Sequence, residues 1–562
     1  MQVSPTPDGD SLFRRLHRWV LAHPRWTVAL VAMGILCLFL PKPFNVDDPL
    51  FLWSAHQIQT HPFDPYGFSL NWYGNVEPMW RITENPPLTC YYLALVTKIV
   101  GWGEIGLHLA FILPALMAIA GTYRLATRLG AGGILPALMT LVAPGFLVSS
   151  TTVMCDVMML AFWLWSVVFW LEGMDRKRLS LLFLAMLLAG LATLTKFFGI
   201  CLVPLLLAHG VFRKGRPKCW LLPFCIPIII LGFYEVGTRA LYGHGLFSLA
   251  AEYSAAAKKF SGFSPLPSAG IGLAFTGGSV LVIVAFAPWL WSKRALAVLA
   301  ACAVIFGGGL VAGGALFARY DLTGGPRVAV AAQFIFWIFG GVSVLALAGR
   351  DWFSRRNAES FLLFLWVSGT FFFAAFLNWV VNARSILPLI PAVALLIGRH
   401  LERTMSSRRK WPAGQAIALS ASVVLGLFIA RADFTYAVAV RNSAWLVCEK
   451  FGTERGRLEF EGHWGFQYYA EEDGARPAVI KPLHPVAGGY LAIPVNNYGI
   501  DGPDDTQAQV VSSFAVGGPH WLATWSKGAG AGFNASTCGP LPFAFNEVPP
   551  EPVVVYMWKP AP

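Results

Sequence analysis

Four ionisable positions lie where apolar stretches of this chain begin or end. They are Asp47-Asp48 in Phe44-Asn45-Val46-Asp47-Asp48-Pro49, Asp156 in Thr152-Val153-Met154-Cys155-Asp156-Val157, Lys196 in Leu194-Thr195-Lys196-Phe197, and Arg384 in Asn382-Ala383-Arg384-Ser385-Ile386-Leu387-Pro388. Charge next to an apolar medium is costly and marks function by default. Each position also has a plainer role. Asp47, Asp48 and Asp156 suit helix N-caps, and Lys196 and Arg384 suit snorkelling at an interface. Only one of two adjacent Asp residues can cap, so the pair favours function. Two carboxylates and two cations together fit glycosyl transfer from a lipid phosphate. The phosphate is already a good leaving group, so no general acid is needed. Direct, inverting displacement needs one base to take the acceptor hydroxyl proton and positive charge on the departing phosphate. Hydrolysis by paired carboxylates is a different chemistry, and the chain carries no GxGxxG or Walker sequence for a nucleotide donor. Asp47 and Asp48 are adjacent, so like-charge repulsion should make one of them ionise less readily.

The elements that must position these residues are membrane helices. The 562-residue chain is 56% apolar and 13% charged, with a net charge of +12 and a mean hydropathy of +0.57. Soluble domains are less apolar and about twice as charged, which excludes a soluble enzyme, a nucleic-acid binder and a disordered chain. Thirteen candidate spans lie near 26–43, 105–126, 132–150, 157–171, 179–196, 198–212, 219–239, 269–291, 295–317, 328–348, 359–380, 385–400 and 411–431. With segment 1–25 in the cytoplasm, thirteen spans put the basic clusters Arg124/Arg128, Arg176–Arg178, Arg213–Lys218, Lys293/Arg294, Arg350–Arg356 and Arg399–Lys410 inside as well. The excess positive charge is then a feature of cytoplasmic loops. The run Leu88–Val100 follows Pro86-Pro87 and carries Lys98. Counted as a span it would invert most of those clusters, so it reads as a half-buried helix on the outer face.

All four charged positions then fall at the outer surface. So do the loops 42–104 and 240–268 and the tail 432–562. The tail is less apolar, with strand-like runs at 457–460, 490–495, 509–514 and 553–558. It reads as a small extracytoplasmic α/β domain beyond a transmembrane domain at 26–431. The nine Cys form no CxxC pair. Cys448 and Cys538 share the tail, where a disulfide and two free thiols both stay open. Asn534-Ala535-Ser536 reads as a chance sequon. Trp53, Tyr66, Trp72, Tyr73, Trp80, Tyr91 and Tyr92 crowd the first loop, as sugar platforms or as an interfacial belt. A secondary transporter, the alternative from another class, would show inverted repeats and charges near mid-membrane.

At these residues the chain resembles the polytopic GT-C glycosyltransferases that use polyprenyl-phosphate sugars, in the branch of protein O-mannosyltransferases and the lipid A aminoarabinose transferase. Asp47-Asp48 matches the acidic pair of that family's first outer loop, Asp156 its second-loop Asp, and Leu194-Thr195-Lys196 its Leu-Thr-Lys. Arg384-Ser385-Ile386-Leu387-Pro388-Leu389-Ile390-Pro391 resembles its Arg-Tyr-Leu-Leu-Pro-Leu-Leu-Pro. Glu84-Asn85-Pro86-Pro87-Leu88 resembles its Lys-Pro-Pro-Leu, with Asn85 in place of the basic residue. Gly121–Gly130 resembles its next inner boundary. The likeness spans about 26–400 and implies a GT-C-like fold. It implies a polyprenyl-phosphate sugar donor, a lipid, glycan or protein acceptor, the cell inner membrane as location, and no nucleic acid. Asp47 would be the base, with Asp48 and Asp156 beside it. Lys196 and Arg384 would face the phosphate, with Arg81, Lys258 or Lys259 supplying the charge that Asn85 lacks. Some relatives hold a divalent metal, for which Glu84 and His244 are the matching residues. A lipid-linked oligosaccharide ligase shares the architecture.

Overall fold

A computed structural model describes residues 19, 22–72, 74–83, 85–260, 264–314, 316–317, 320, 322–405, 413–452, 457–479, 488–497, 502–504, 506–518, 520–548 and 551–559, the side chains of Lys259, Phe260 and Met405 excepted. The chain is a multi-pass helical membrane protein with a sheet-containing C-terminal part. Among the described residues seven helices are long and apolar enough to cross a membrane: Glu104–Arg128, Cys155–Arg176, Leu222–Tyr242, Lys293–Ala312, Gly324–Arg355, Ala358–Leu377 and Ala413–Phe451. The pair Pro265–Ser279 and Val282–Leu290, bent by 86°, adds an eighth if it is one span. Each of the thirteen expected stretches contains helix, yet thirteen full crossings are not reached by length. Pro24–Cys37 has 14 residues, or about 21 Å of rise against a hydrocarbon core of about 30 Å. Elsewhere the chain breaks at proline, which lacks the donor that continues a helix. One helix resumes at Pro144, and Pro388 separates Ala383–Ile386 from Leu389–Met405. Leu88–Val100 is a helix of 13 residues, too short to span, as its reading as an outer-face helix expects.

Lipid contact explains surfaces that a soluble fold would bury. The Leu222–Tyr242 crossing turns Ile228, Val236 and Phe233 outward, 65%, 69% and 76% exposed. Internally the helices approach closely. A Cβ at Gly277 would lie 2.0 Å from the Trp337 carbonyl oxygen, and one at Gly341 would lie 2.2 Å from that of Leu273. Only glycine admits this contact of Pro265–Ser279 with Gly324–Arg355.

The tail forms a five-stranded sheet in the order Arg476–Pro477, Leu458–Phe460, Tyr490–Pro494, Glu551–Trp558, Ala508–Val516. Leu458–Phe460 runs parallel to both its neighbours, and Glu551–Trp558 runs antiparallel to both of its own. All four strand-like runs of the sequence are strands of this sheet. The expected boundary at 432 falls inside one unbroken helix of 39 residues, Ala413–Phe451. Nor is the tail a separate body. Leu522, Phe533 and Phe543 belong to the main helical core. The Gln333 amide donates to the Phe545 carbonyl and accepts its N–H, at 2.8 and 2.7 Å. Cys448 and Cys538 are both free thiols.

Candidate active site

The first loop enters its helix, Asp48–Thr60, through a strained turn. Val46 has φ 53°, a backbone region that β-branched residues avoid and that proteins retain chiefly at functional sites. This turn separates the two adjacent carboxylates. Asp47 occupies the N-cap position but makes no capping bond. Its Oδ2 accepts instead from Arg384 Nη1 at 2.9 Å. Asp48 points inward and is fully buried. Its Oδ2 accepts the Asn45 N–H at 3.0 Å and its Oδ1 the Val153 N–H at 2.9 Å. Burial pushes the Asp48 carboxyl up to about 7, opposed by Lys42 and the two N–H donors. The charge of Asp47 is the smallest contributor, so desolvation rather than like-charge repulsion separates the pair. Asp48 ties the first loop to the segment preceding the Cys155–Arg176 helix and lines neither cavity described below.

Lys196 sits at a break. Its backbone is extended (φ −152°, ψ 131°) between the helix Leu179–Thr195 and the tight turn Phe197–Cys201. Gly199 allows the chain to fold back there, since a Cβ would lie 2.4 Å from the Ala192 carbonyl carbon. Lys196 Nζ donates to Asp156 Oδ1 at 2.6 Å, and Asp156 Oδ2 lies 4.0 Å from Arg384 Nη1. Asp156 stands in the first turn of its helix, 1% exposed, behind both cations. Arg384 belongs to the short helix Ala383–Ile386, whose Asn382 side chain accepts the Ser385 N–H at 2.7 Å. The tail pins this segment: Ala383 donates to the Phe533 carbonyl at 2.9 Å, and Ser536 to that of Val381 at 2.8 Å. The structure thus brings Asp47, Arg384, Asp156 and Lys196 into one chain of charges.

Two cavities meet at this cluster. One, of about 460 Å³, is lined by Lys196, Asp47, Arg384 and apolar residues such as Phe51, Phe198 and Phe373. The other, of about 680 Å³, shares Asp47 and Arg384 and extends under the tail to His463, Trp464 and Trp525.

Other expected residues lie elsewhere. Arg81 is exposed and stacks over Trp80 at 5.0 Å, because its short helix, Met79–Ile82, points it away from the cavities. Lys258 donates to the Phe376 carbonyl and lines neither cavity. His244 stacks on Trp80, with ring centroids 5.5 Å apart. Glu84 and the Lys259 side chain lie outside the described residues. Among the described residues no group of three or more His, Cys, Asp or Glu side chains is placed to hold a metal ion.

Sequence reasoning missed Lys42 and Asp433. Lys42 Nζ donates to Asp433 Oδ2 at 2.5 Å and to Thr151 Oγ1 at 3.2 Å. Asp433 Oδ1 accepts from Thr524 Oγ1 at 3.0 Å. Lys42 and Asp433 are 2% and 5% exposed. The available signal was a charge at the edge of each apolar run, Lys42 in Leu40-Pro41-Lys42 and Asp433 beside Arg431 in Arg431-Ala432-Asp433. Asn534, in the sequon read as chance, lines both cavities.

Residues 84–234 match the family model described as dolichyl-phosphate-mannose-protein mannosyltransferase. That stretch holds Asp156 and Lys196 but neither Asp47 nor Arg384. No curated protein matches the chain. Among solved structures, the chain is similar to the oligosaccharyltransferase of Archaeoglobus fulgidus in its apo form. The TM-score is 0.51 at 14% identity, over 85% of this chain and 70% of that one. A second structure of the archaeal protein, in complex with zinc and sulfate, gives a TM-score of 0.48 at 14% identity, over 84% and 68% of the two chains. ArnT from Cupriavidus metallidurans bound to undecaprenyl phosphate gives 0.42 at 15% identity, over 85% and 93%.

Proposed function

We propose that this membrane glycosyltransferase of GT-C fold moves a sugar from a polyprenyl-phosphate donor to an acceptor hydroxyl at the outer face of the cell inner membrane, by inverting displacement. The reading rests on one observation: Asp47, Arg384, Asp156 and Lys196 form a continuous charge chain at the junction of two cavities. The acceptor oxygen attacks the anomeric carbon, whose bond to the phosphate oxygen breaks. The hydroxyl proton passes to the Asp47 carboxylate. Polyprenyl phosphate leaves with the bonding electron pair, and Lys196 and Arg384 stabilise its added charge. Arg384 also holds the Asp47 carboxylate in place. Asp156 is a positioning residue that fixes Lys196 and balances both cations. Asp48 positions the loop. The steps above assign no part to His244, Arg81 or Lys258.

The opposite ends of the helices support the orientation, with the N-terminus cytoplasmic and the tail outside. There Arg128 and Arg213 pair with Asp175, Arg213 with Glu359, and Arg355 and Arg399 with Asp351. Most of the basic clusters assigned to the inner face thus gather at one end of the bundle, away from Asp47 and Lys196.

The test is a panel of radiolabelled polyprenyl-phosphate sugars offered to the purified full chain with mixed acceptors. Label should leave one donor and reach an acceptor, and Asp47→Asn should slow this by about 10²–10⁴. Turnover of none of the donors, or equal turnover by Asp47→Asn, overturns the reading.

A further inference from the structure

The two cavities that meet at Asp47 differ in chemistry. The smaller one adds Lys196 and the apolar rings of Phe51, Phe197, Phe198, Phe247 and Phe373 to the Asp47–Arg384 pair that both share, a combination that suits a lipid phosphate. The larger one adds Trp464, Trp525 and His463 to Trp72 and Trp379, which line both. Among its described lining residues the charged ones are Asp47 and Arg384, already paired with each other. Burial holds His463 neutral, its pKa pushed down to about 3. A phosphate, sialate or acidic peptide side chain would find only Arg384 there, which is paired with Asp47 and shared with the donor phosphate, and would lose its hydration largely uncompensated.

We propose that the larger cavity is the acceptor site and that its acceptor is an uncharged carbohydrate, held by the tail. Aromatic walls offer broad apolar faces at low conformational cost, which suits the C–H faces of a sugar ring. The lining also supplies neutral hydroxyl and amide groups from Ser268, Ser536, Thr537 and Asn534 for its hydroxyls.

The wall is built for rigidity. Trp464 and Trp525 pack edge to face at 4.9 Å. Trp72 lies against the His463 ring at 5.1 Å, and Trp525 Nε1 donates to the Asn496 carbonyl at 2.9 Å. Trp464 has φ 66°, and Val46, which lines the same cavity, has φ 53°. Two strained non-glycine residues facing one cavity fit a ligand clamp held in place by its surroundings. The cavity shares Asp47 with the donor side, so a hydroxyl bound there reaches the base. The inference rests on the transferase reading for that base and for the donor.

The experiment uses the full chain in lipid nanodiscs on an array of neutral glycans, sialylated and phosphorylated glycans, and Ser/Thr peptides. Binding of undecaprenyl phosphate is measured in parallel by native mass spectrometry. Neutral glycans should bind. Trp464→Ala should weaken them about tenfold with undecaprenyl phosphate binding unchanged. Should Trp464→Ala fail to fold, Ala535→Trp, which places a bulky ring in the cavity from the part-exposed tail loop, should block glycan binding in its stead. Capture of anionic glycans or peptides only, of nothing on the array, or of neutral glycans undiminished in the folded variants overturns the inference. Loss of undecaprenyl phosphate binding in the unmodified chain overturns the transferase reading instead.

Discussion

Lys42 and Asp433, separated by 391 positions, meet in a buried ion pair at 2.5 Å. Lys42 closes the first apolar run, and Asp433 lies within the last long helix, so the pair joins the two ends of the helical region. Thr151 and Thr524 complete the contact from the segment before Asp156 and from the tail. Breaking one side leaves a buried charge unpaired, which costs about 3–5 kcal/mol. Asp433→Ala should therefore lower the melting temperature of the detergent-solubilised protein sharply. The double variant Lys42→Met/Asp433→Leu should recover much of the loss, because an apolar pair replaces a buried ion pair at little cost. A double variant no more stable than the single one refutes this account.

Asp47 and Asp48 should separate under substitution. Asp47→Asn should lower turnover by about 10²–10⁴, the worth of a positioned base, with donor binding retained. Asp48→Asn loses one of its two N–H contacts, at about 1–3 kcal/mol, so it should lower the yield of folded protein while the folded fraction works within a few-fold of normal. Steady-state rates normalised to folded protein decide the matter, and a dead but well-folded Asp48→Asn would reverse the roles.

The pH dependence follows from the same buried carboxyl. Asp48 is raised from an ordinary 3.8 to about 7, so the folded state holds its proton more tightly than the unfolded state. Its contribution is fully present below about pH 4 and is lost as pH rises through about 7. The melting temperature of the native protein relative to Asp48→Asn should therefore fall between pH 4 and pH 7. A difference that rises over that window contradicts the assignment.

The cations should act on the donor. Lys196→Ala and Arg384→Ala should each weaken undecaprenyl phosphate binding, and Arg384→Lys should restore part of it, since lysine keeps the charge but loses the planar fork. Asp156→Asn should disturb donor binding less than Lys196→Ala, because Lys196 survives there without its anchor. Native mass spectrometry measures all four, and unchanged binding in both alanine variants removes these residues from the site.

Topology has its own check. With the tail outside, His520→Cys in a background lacking the exposed Cys37, Cys219 and Cys302 should react with a membrane-impermeant maleimide in intact cells. Labelling only after lysis would place the tail in the cytoplasm.

Composition and hydropathy alone determined that this is a polytopic helical membrane protein, and the alternating runs between turn signals showed where the strands of the tail run. They also marked Asp47, Asp156, Lys196 and Arg384, because hydropathy reports which medium each segment meets and a charge at that boundary is conspicuous. Only the tertiary structure decided which charges meet. Arg384 reaches Asp47 across 337 positions, a separation that no local pattern encodes. Successive residues in a helical turn diverge by about 100°, so of two adjacent aspartates one faces the cavity and the other the core. Spacing cannot say which without the strained Val46 that sets the direction. Lys42, Asp433 and Trp464 were passed over for a related reason: each looks like an ordinary loop or boundary residue until packing sets it against a residue from another part of the chain.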